Sequence, residues 1–251
     1  MKLLQAELAL ALSTATAALQ VLAQLRPEAT SFGFDAALPR EMKAASDRIL
    51  EDVIVGRLRA SGLDILSEEA GQVVSGSGDG LRWVVDPLDG TVNFMRGLGP
   101  CSVSLALCYG DVPVLGVIGE FPSGKLAWGG VGLGSFWSDL PIRVSTVSDR
   151  KQAVICTGFP SRFKFDTEGM HWIESTLAQY AKVRMLGAAS LSLLNVAKGA
   201  AEVYSERDIM IWDVAAGLAL VQGAGGTCTM TKGRHPDSFD GFASNGLIQD
   251  C

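Results

Sequence analysis

Asp86-Pro87-Leu88-Asp89-Gly90-Thr91 follows the apolar run Trp83-Val84-Val85, which reads as a strand from Arg82 to Val85 that delivers Asp86 at its end. Proline fixes its own φ and favours a turn, and Gly90 frees the chain to bend sharply. Such a turn can aim both carboxylates and the Leu88 carbonyl at one point. That is oxygen-only geometry, suited to a Mg²⁺ pair bridged by a shared carboxylate. Taken alone, the stretch fits a plain surface turn equally well, because Asp-Pro and Asp-Gly are common turn dipeptides.

Two further acidic clusters bear on the choice. Asp64-Ile65-Leu66 reads as a short strand leading into Glu68-Glu69, which alone fits a solvated loop. Trp212-Asp213 opens an apolar helix over Val214–Val221, where an N-terminal carboxylate is favoured by capping and by the helix dipole. All three clusters border apolar runs, an expensive place for a carboxylate unless its charge is neutralised. None has enough Lys or Arg beside it for that, and hard divalent cations would do it.

Composition narrows the function. A net charge of −6 without any Lys/Arg run argues against nucleic acid as the main ligand. The five cysteines form no CxxC pair and leave one over, which fits reduced thiols and a cytoplasmic protein. Two histidines, His171 and His235, lie far from the acidic clusters, against a histidine-rich zinc site or a serine-hydrolase triad. Residues 3–25 are apolar enough to resemble a signal peptide, with Ala15-Thr16-Ala17 as a cleavage-like site. Gln5, Glu7 and Gln20 interrupt that run, and Leu8, Leu12, Ala15, Leu19, Leu22 and Leu25 recur at helical spacing. The expectation is an amphipathic helix packed on a core, with no membrane association.

A second helix is expected from about Arg40 to Arg59, with Met42, Ile49, Leu50, Val53, Ile54 and Leu58 on its apolar face and Gly62 ending it. Gly71–Gly80 reads as an exposed loop. Ser102–Tyr109 and Val112–Glu120 read as strands joined by a Gly110-Asp111 hairpin, with further strands at Lys125–Gly129 and Ile142–Ser145. Beyond residue 150 strands and helices alternate: Ala153–Thr157, helix Thr167–Ala181, Val183–Leu186, helix Ser190–Lys198, Glu202–Ser205, helix Trp212–Gln222 and Thr227–Thr231. A soft boundary near 146–150 divides residues 1–147, with most of the acidic clusters, from residues 148–251, with Asp213. The two halves are expected to pack as one rigid unit.

The order of these pieces resembles the inositol monophosphatase family, within the Mg²⁺-dependent, lithium-sensitive phosphatases: an upstream Asp, a Glu-Glu, D-P-[IL]-D-G-[ST], then W-D-x-A-[AG]. Here these are Asp47, Glu68-Glu69, Asp86–Thr91 and Trp212-Asp213-Val214-Ala215-Ala216, and the likeness continues to Ala243-Ser244-Asn245-Gly246. The resemblance implies an α+β fold, a layered α-β-α-β-α sandwich, and a homodimer. It implies that Glu68, Asp86 and the Leu88 carbonyl hold one Mg²⁺, that Asp86, Asp89 and Asp213 hold a second, and that a third joins near Glu68 with substrate. Asp47, Thr91 and Glu68 form the implied catalytic set, Thr91 with Asp47 positioning and deprotonating the attacking water. Gly90 and Thr91 would offer backbone N–H groups to phosphate, and Glu69 would support the ligands from behind. Glu206, seven residues before Asp213, would bind a substrate hydroxyl in a pocket lined by Gly187, Ala188 and Ala189.

The implied activity is hydrolysis of inositol monophosphate or a related sugar or polyol phosphate. Histidinol phosphate, fructose bisphosphate and adenosine bisphosphate are alternative substrates, a biosynthetic phosphatase for polysaccharides or secondary metabolites is another role, and a non-catalytic partnership in transcription is a third. Three departures concern these details. Ser31–Leu38 lacks the Lys that often stands ahead of the second helix, the glycine-rich hairpin ends in Ser138-Asp139 instead of Asn-Gly, and Gly199–Glu202 lacks a usual Arg and Asp. A Gly130-Val131-Gly132-Leu133-Gly134 run lacks the spacing and setting of a dinucleotide fingerprint.

Overall fold

The computed structural model describes residues 2–26, 45–73, 80–161 and 163–250. The expected helix start at Arg40, Met42 and the Ser31–Leu38 region lie outside the described residues. Helix α1 (Lys2–Leu25) and helix α2 (Ala45–Leu58) come first, and Gly62 closes the turn after α2 in the left-handed conformation. Strands β1 (Asp64–Ser67), β2 (Gly71–Val73) and β3 (Leu81–Asp89) follow, then a short helix α3 (Thr91–Arg96). Five more strands, β4 (Cys101–Tyr109), β5 (Val112–Phe121), β6 (Lys125–Gly130), β7 (Gly134–Trp137) and β8 (Leu140–Ile142), complete an eight-stranded sheet of order β2-β1-β3-β4-β5-β6-β7-β8. Only β1 and β3 run parallel in it; the other neighbours are antiparallel.

The rest of the chain alternates as β9 (Val154–Cys156), α4 (Thr167–Leu177), β10 (Lys182–Arg184), α5 (Ala189–Ala197), β11 (Val203–Met210), α6 (Ile211–Gly223), β12 (Thr227–Lys232) and β13 (Ser238–Ser244). Its strands form a five-stranded sheet, β10-β9-β11-β13-β12.

Burial sorts these elements into layers. Trp83, Val85, Leu105, Leu107 and Val117 point from the large sheet into one core with α1 and α2. Val84, Ala106 and Ile118, offset by one residue, point the other way, into a core shared with α5, α6 and the small sheet's Tyr204 and Ala243. Both faces of the sheet are therefore covered, which is why its strands read as near-continuous apolar runs. On the far side of the small sheet, Ile155, Val203 and Phe242 pack with Leu177 of α4. The result is the expected α-β-α-β-α sandwich.

Helix α6 is buried almost all round and fits because glycines let it approach. A Cβ at Gly116 of β5 would lie 2.2 Å from the Ala216 carbonyl oxygen, and one at Gly217 would lie 2.4 Å from Leu193 Cβ of α5. Close approach of this kind needs residues without side chains.

Several expectations change. The Leu4–Leu25 span of α1 is long and apolar enough to cross a membrane by composition, yet one face packs on β5 and α2. That face is Ala11, Ala15, Ala18, Leu19 and Leu22, while Leu8, Leu12 and Leu25 are only half-buried. Small residues take the line of closest approach, and larger leucines flank it. On α2, Val55 replaces the expected Ile49, which is 40% exposed. Gly71–Val73 is an edge strand on β1, not loop, and 74–79 lie outside the described residues. The strand expected at Ile142–Ser145 ends at Ile142, after a β7–β8 hairpin turning on Ser138 and Asp139 at positive φ. Helix α4 stops at Leu177 rather than Ala181, and β10 at Arg184 rather than Leu186. Strand β11 runs on to Met210, and β13 joins the sheet at its side.

Candidate active site

Strand β1 lies parallel to β3 with Ser67 opposite Val85, so the next residues, Glu68 and Asp86, emerge side by side at the same sheet end. The Glu68 N–H donates to the Val85 carbonyl at 3.2 Å and fixes that level. Asp86 shares a strand face with Val84, the face against α6, because side chains alternate along a strand. Asp213 sits in the first turn of α6. Carboxylate oxygens of Glu68, Asp86 and Asp213 thus come within 4.8 Å of one another.

Their electrostatics are those of a site built for a cation. Burial, then the negative charges of Glu68, Asp89 and Asp213, push the Asp86 carboxyl well above the ordinary carboxylate range. Asp213 is raised likewise, by burial first and then by Glu68, Asp89 and Glu206. The charges that act most strongly on Asp86, those of Glu68, Asp89 and Asp213, are all negative. A dication bound among these oxygens would reverse that repulsion, and an all-oxygen donor set suits Mg²⁺. The residues present fit the metal.

The Asp-Pro-Leu-Asp-Gly stretch does not leave the strand at Asp86 as expected. Strand β3 continues to Asp89 through a shift in register between Asp86 and Asp89, a bulge that re-aims side chains. Within it the Leu88 N–H donates to Asp86 Oδ1 at 2.9 Å. Gly90 has φ +89°, and a Cβ there would lie 3.2 Å from the Gly187 carbonyl oxygen and 3.3 Å from Cys101 Cβ. A side chain would be both strained and crowded, so glycine is required.

Asp89 stands apart from the three grouped carboxylates. Its Oδ1 accepts from the Ala189 N–H at 3.2 Å, and its Oδ2 accepts from the Ser190 N–H at 2.8 Å and Ser190 Oγ at 2.5 Å. It caps α5 from across the layer. Burial raises its carboxyl to about 6, and the Ser190 and Ala189 bonds hold it from rising further.

Thr91 begins α3, and its hydroxyl lies 2.8 Å from Asp47 Oδ1 and 3.1 Å from the Leu88 carbonyl, both acceptors. Asp47 is buried in the first turn of α2. A hydroxyl held against a buried carboxylate can pass a proton to it. Helix α3 has no side-chain cap, which leaves its first-turn amides available to an anion.

A cavity of about 410 Å³ joins Glu68, Asp89 and Asp213 to Gly187, Ala188, Ala189 and Glu206. Glu206 is 5% exposed, and burial followed by the Asp89 charge raises its carboxyl to about 8. The pocket residues expected from sequence therefore converge, while half-buried Glu69 does not line the cavity.

Several supports escaped the sequence. Glu51 of α2 accepts from Ser67 Oγ at 2.5 Å and from the Ala70 N–H at 2.8 Å, tying down the Glu68-Glu69 turn. Asn93 donates to the Leu186 and Pro100 carbonyls at 2.7 and 3.0 Å and anchors the Gly187 loop. The signal for Glu51 was present: an acidic residue one turn from Asp47, beside apolar Leu50 and Ile54. Ser190 gave none, because a serine at a helix start needs no distant partner.

The chain matches the inositol monophosphatase family over residues 4–250. It is 34% identical to the fructose-1,6-bisphosphatase/inositol-1-monophosphatase of Aquifex aeolicus over 188 residues, 74% of this chain and 70% of that one. It is 36% identical to the Nus factor SuhB of Xylella fastidiosa over 197 residues, 77% of this chain and 70% of that one. Among solved structures, the inositol monophosphatase of Anabaena superposes with a TM-score of 0.81 at 31% identity, covering 97% of this chain and 92% of that one.

Proposed function

We propose, from the premise that this chain belongs to the inositol monophosphatase family and is a phosphoric monoester hydrolase, that it hydrolyses a cyclitol, sugar or polyol monophosphate with the help of divalent cations. The observation that carries this reading is the convergence of Glu68, Asp86 and Asp213 within 4.8 Å at the end of the large sheet.

Glu68, Asp86, the Leu88 carbonyl and Asp213 would hold Mg²⁺. Asp89 would share in a second ion through Oδ1, which α5 engages with one hydrogen bond against two at Oδ2. When bound, such cations lower the pKa of coordinated water and neutralise phosphate oxygens. The chain supplies the rest. Thr91 Oγ takes a proton from the attacking water as it gives its own to Asp47 Oδ1, 2.8 Å away. The uncapped amides at Gly90 and Thr91 face the phosphate and favour its negative charge. Glu206 accepts a hydroxyl hydrogen bond from the leaving group and thereby orients it.

Cys101, Cys108 and Cys156 are buried free thiols, pushed by burial to about 12, 12 and 11, so they are inert and fit a reducing, cytoplasmic setting. The likeness to a Nus factor supports a second reading, a binding role in transcription. The grouped carboxylates favour hydrolysis, since binding alone needs no such set.

Phosphate release from inositol 1-phosphate, fructose 1,6-bisphosphate, histidinol phosphate and adenosine 3′,5′-bisphosphate, with Mg²⁺ and with chelator, tests the proposal. Mg²⁺-dependent turnover of at least one, reduced about a hundredfold or more in Asp213→Asn, is expected. No release from any, or release indifferent to chelator, would refute it.

A further inference from the structure

The cavity beside the carboxylates is not polar throughout. Its far wall is the loop after β9, where Phe159 lies 40% exposed next to Pro160. An aromatic side chain left partly uncovered forgoes favourable burial, and cavity walls of this kind are completed by an apolar occupant.

The ring is held in place. Its centroid lies 5.3 Å from that of Phe163 and 5.2 Å from that of Phe165, and those two meet edge-on at 4.9 Å. Phe163 is buried and contacts Trp172 of α4 at 6.1 Å, so the cluster is rooted in the outer helix layer. On the other side, Gly158 rests against Glu206. A Cβ at Gly158 would lie 2.8 Å from Glu206 Oε1, so any larger residue there would push that carboxylate from its place. The backbone in contact with Glu206 and the ring on the wall thus belong to adjacent residues, Gly158 and Phe159. An acceptor for a hydroxyl and a flat apolar surface border the same space.

We infer that Phe159 is a specificity-determining residue: the leaving group lays the apolar C–H face of a ring on Phe159 while a hydroxyl on its edge meets Glu206. This rests on the phosphatase reading above and goes beyond it by naming the shape of the leaving group. A cyclitol or pyranose ring has one face of C–H bonds and a rim of hydroxyls. An acyclic polyol has no such face and loses rotational freedom on binding. The ring contact is made equally in ground and transition states, so it acts through KM.

The test compares kcat and KM for a cyclic substrate, myo-inositol 1-phosphate, and an acyclic one, glycerol 2-phosphate, in the wild type, Phe159→Leu and Phe159→Tyr. The wild type is expected to favour the cyclic substrate. Phe159→Leu should cut the cyclic-to-acyclic ratio of kcat/KM by about threefold to tenfold, through KM, and Phe159→Tyr should retain it. An unchanged ratio in Phe159→Leu, or a ratio lost equally in Phe159→Tyr, would overturn the inference. Equal kcat/KM for both substrates in the wild type would overturn it alone. Failure of the wild type to release phosphate from either would remove the phosphatase reading and the inference together.

Discussion

Burial and the charges of Glu68, Asp89 and Asp213 hold the Asp86 proton far more tightly than water does, so a chain without metal carries its own functional site as a strain. Asparagine at this position keeps the shape and an oxygen that can accept the Leu88 N–H, and does away with an ionisation that burial and the neighbouring carboxylates make costly. In metal-free protein, Asp86→Asn should therefore raise the melting temperature by roughly 2–4 °C, the usual reward for relieving a destabilised site. Phosphate release should be abolished at the same time. A thermal scan and an activity assay on one preparation check both, and a variant that melted lower while retaining activity would contradict the account. Gly90 illustrates the opposite constraint, since its positive φ and its close neighbours leave no room for charge or bulk.

Elements place these residues through approach as much as through hydrogen bonds. Helix α6 delivers Asp213 because its backbone lies against Gly116 of β5, where a Cβ would fall 2.2 Å from the Ala216 carbonyl oxygen. Gly116→Ala should destabilise the fold by about 1–3 kcal/mol and lower kcat by shifting Asp213, readable by denaturant titration and turnover. The Asp-Pro-Leu-Asp-Gly-Thr stretch and the apolar run after Asp213 were legible in the sequence because each is a local pattern with a local cause. Buried strands β4 and β5 and helix α6 were legible for the same reason. The buried face of α1 was legible in part: Ala15, Leu19 and Leu22 are buried as expected, but Ala11 and Ala18 take the places given to Leu8 and Leu12, a choice that depends on the sheet beneath. Strand β13 contains Asp240 and Gly241 and interrupts any alternation, so its pairing with β11 and β12 shows only in three dimensions. Within the site, the resemblance implied Glu68 beside Asp86, and Asp213 beside Asp86 and Asp89, whereas the turn of Asp89 onto α5 depended on a serine 101 residues away.

At the scale of the whole molecule, the raised carboxyls predict how stability follows pH. Asp89 moves from 3.8 to about 6 and Glu206 from 4.5 to about 8, with Asp86 and Asp213 also raised. The folded chain then holds more protons than the unfolded chain between those values. Stability is therefore fully present below the unfolded values and declines as pH rises through the folded ones. A cation bound among the ionised carboxylates favours the folded state by mass action and opposes that decline. The most direct single measurement is thermal unfolding of the wild type and Asp213→Asn across this range, with chelator and with saturating Mg²⁺. Chelated wild type is expected to lose stability as pH rises toward about 8 and Mg²⁺ to restore about 5 °C or more there, with far less gained by Asp213→Asn. A melting curve that Mg²⁺ leaves unmoved at every pH would contradict the claim that Glu68, Asp86 and Asp213 form a metal site.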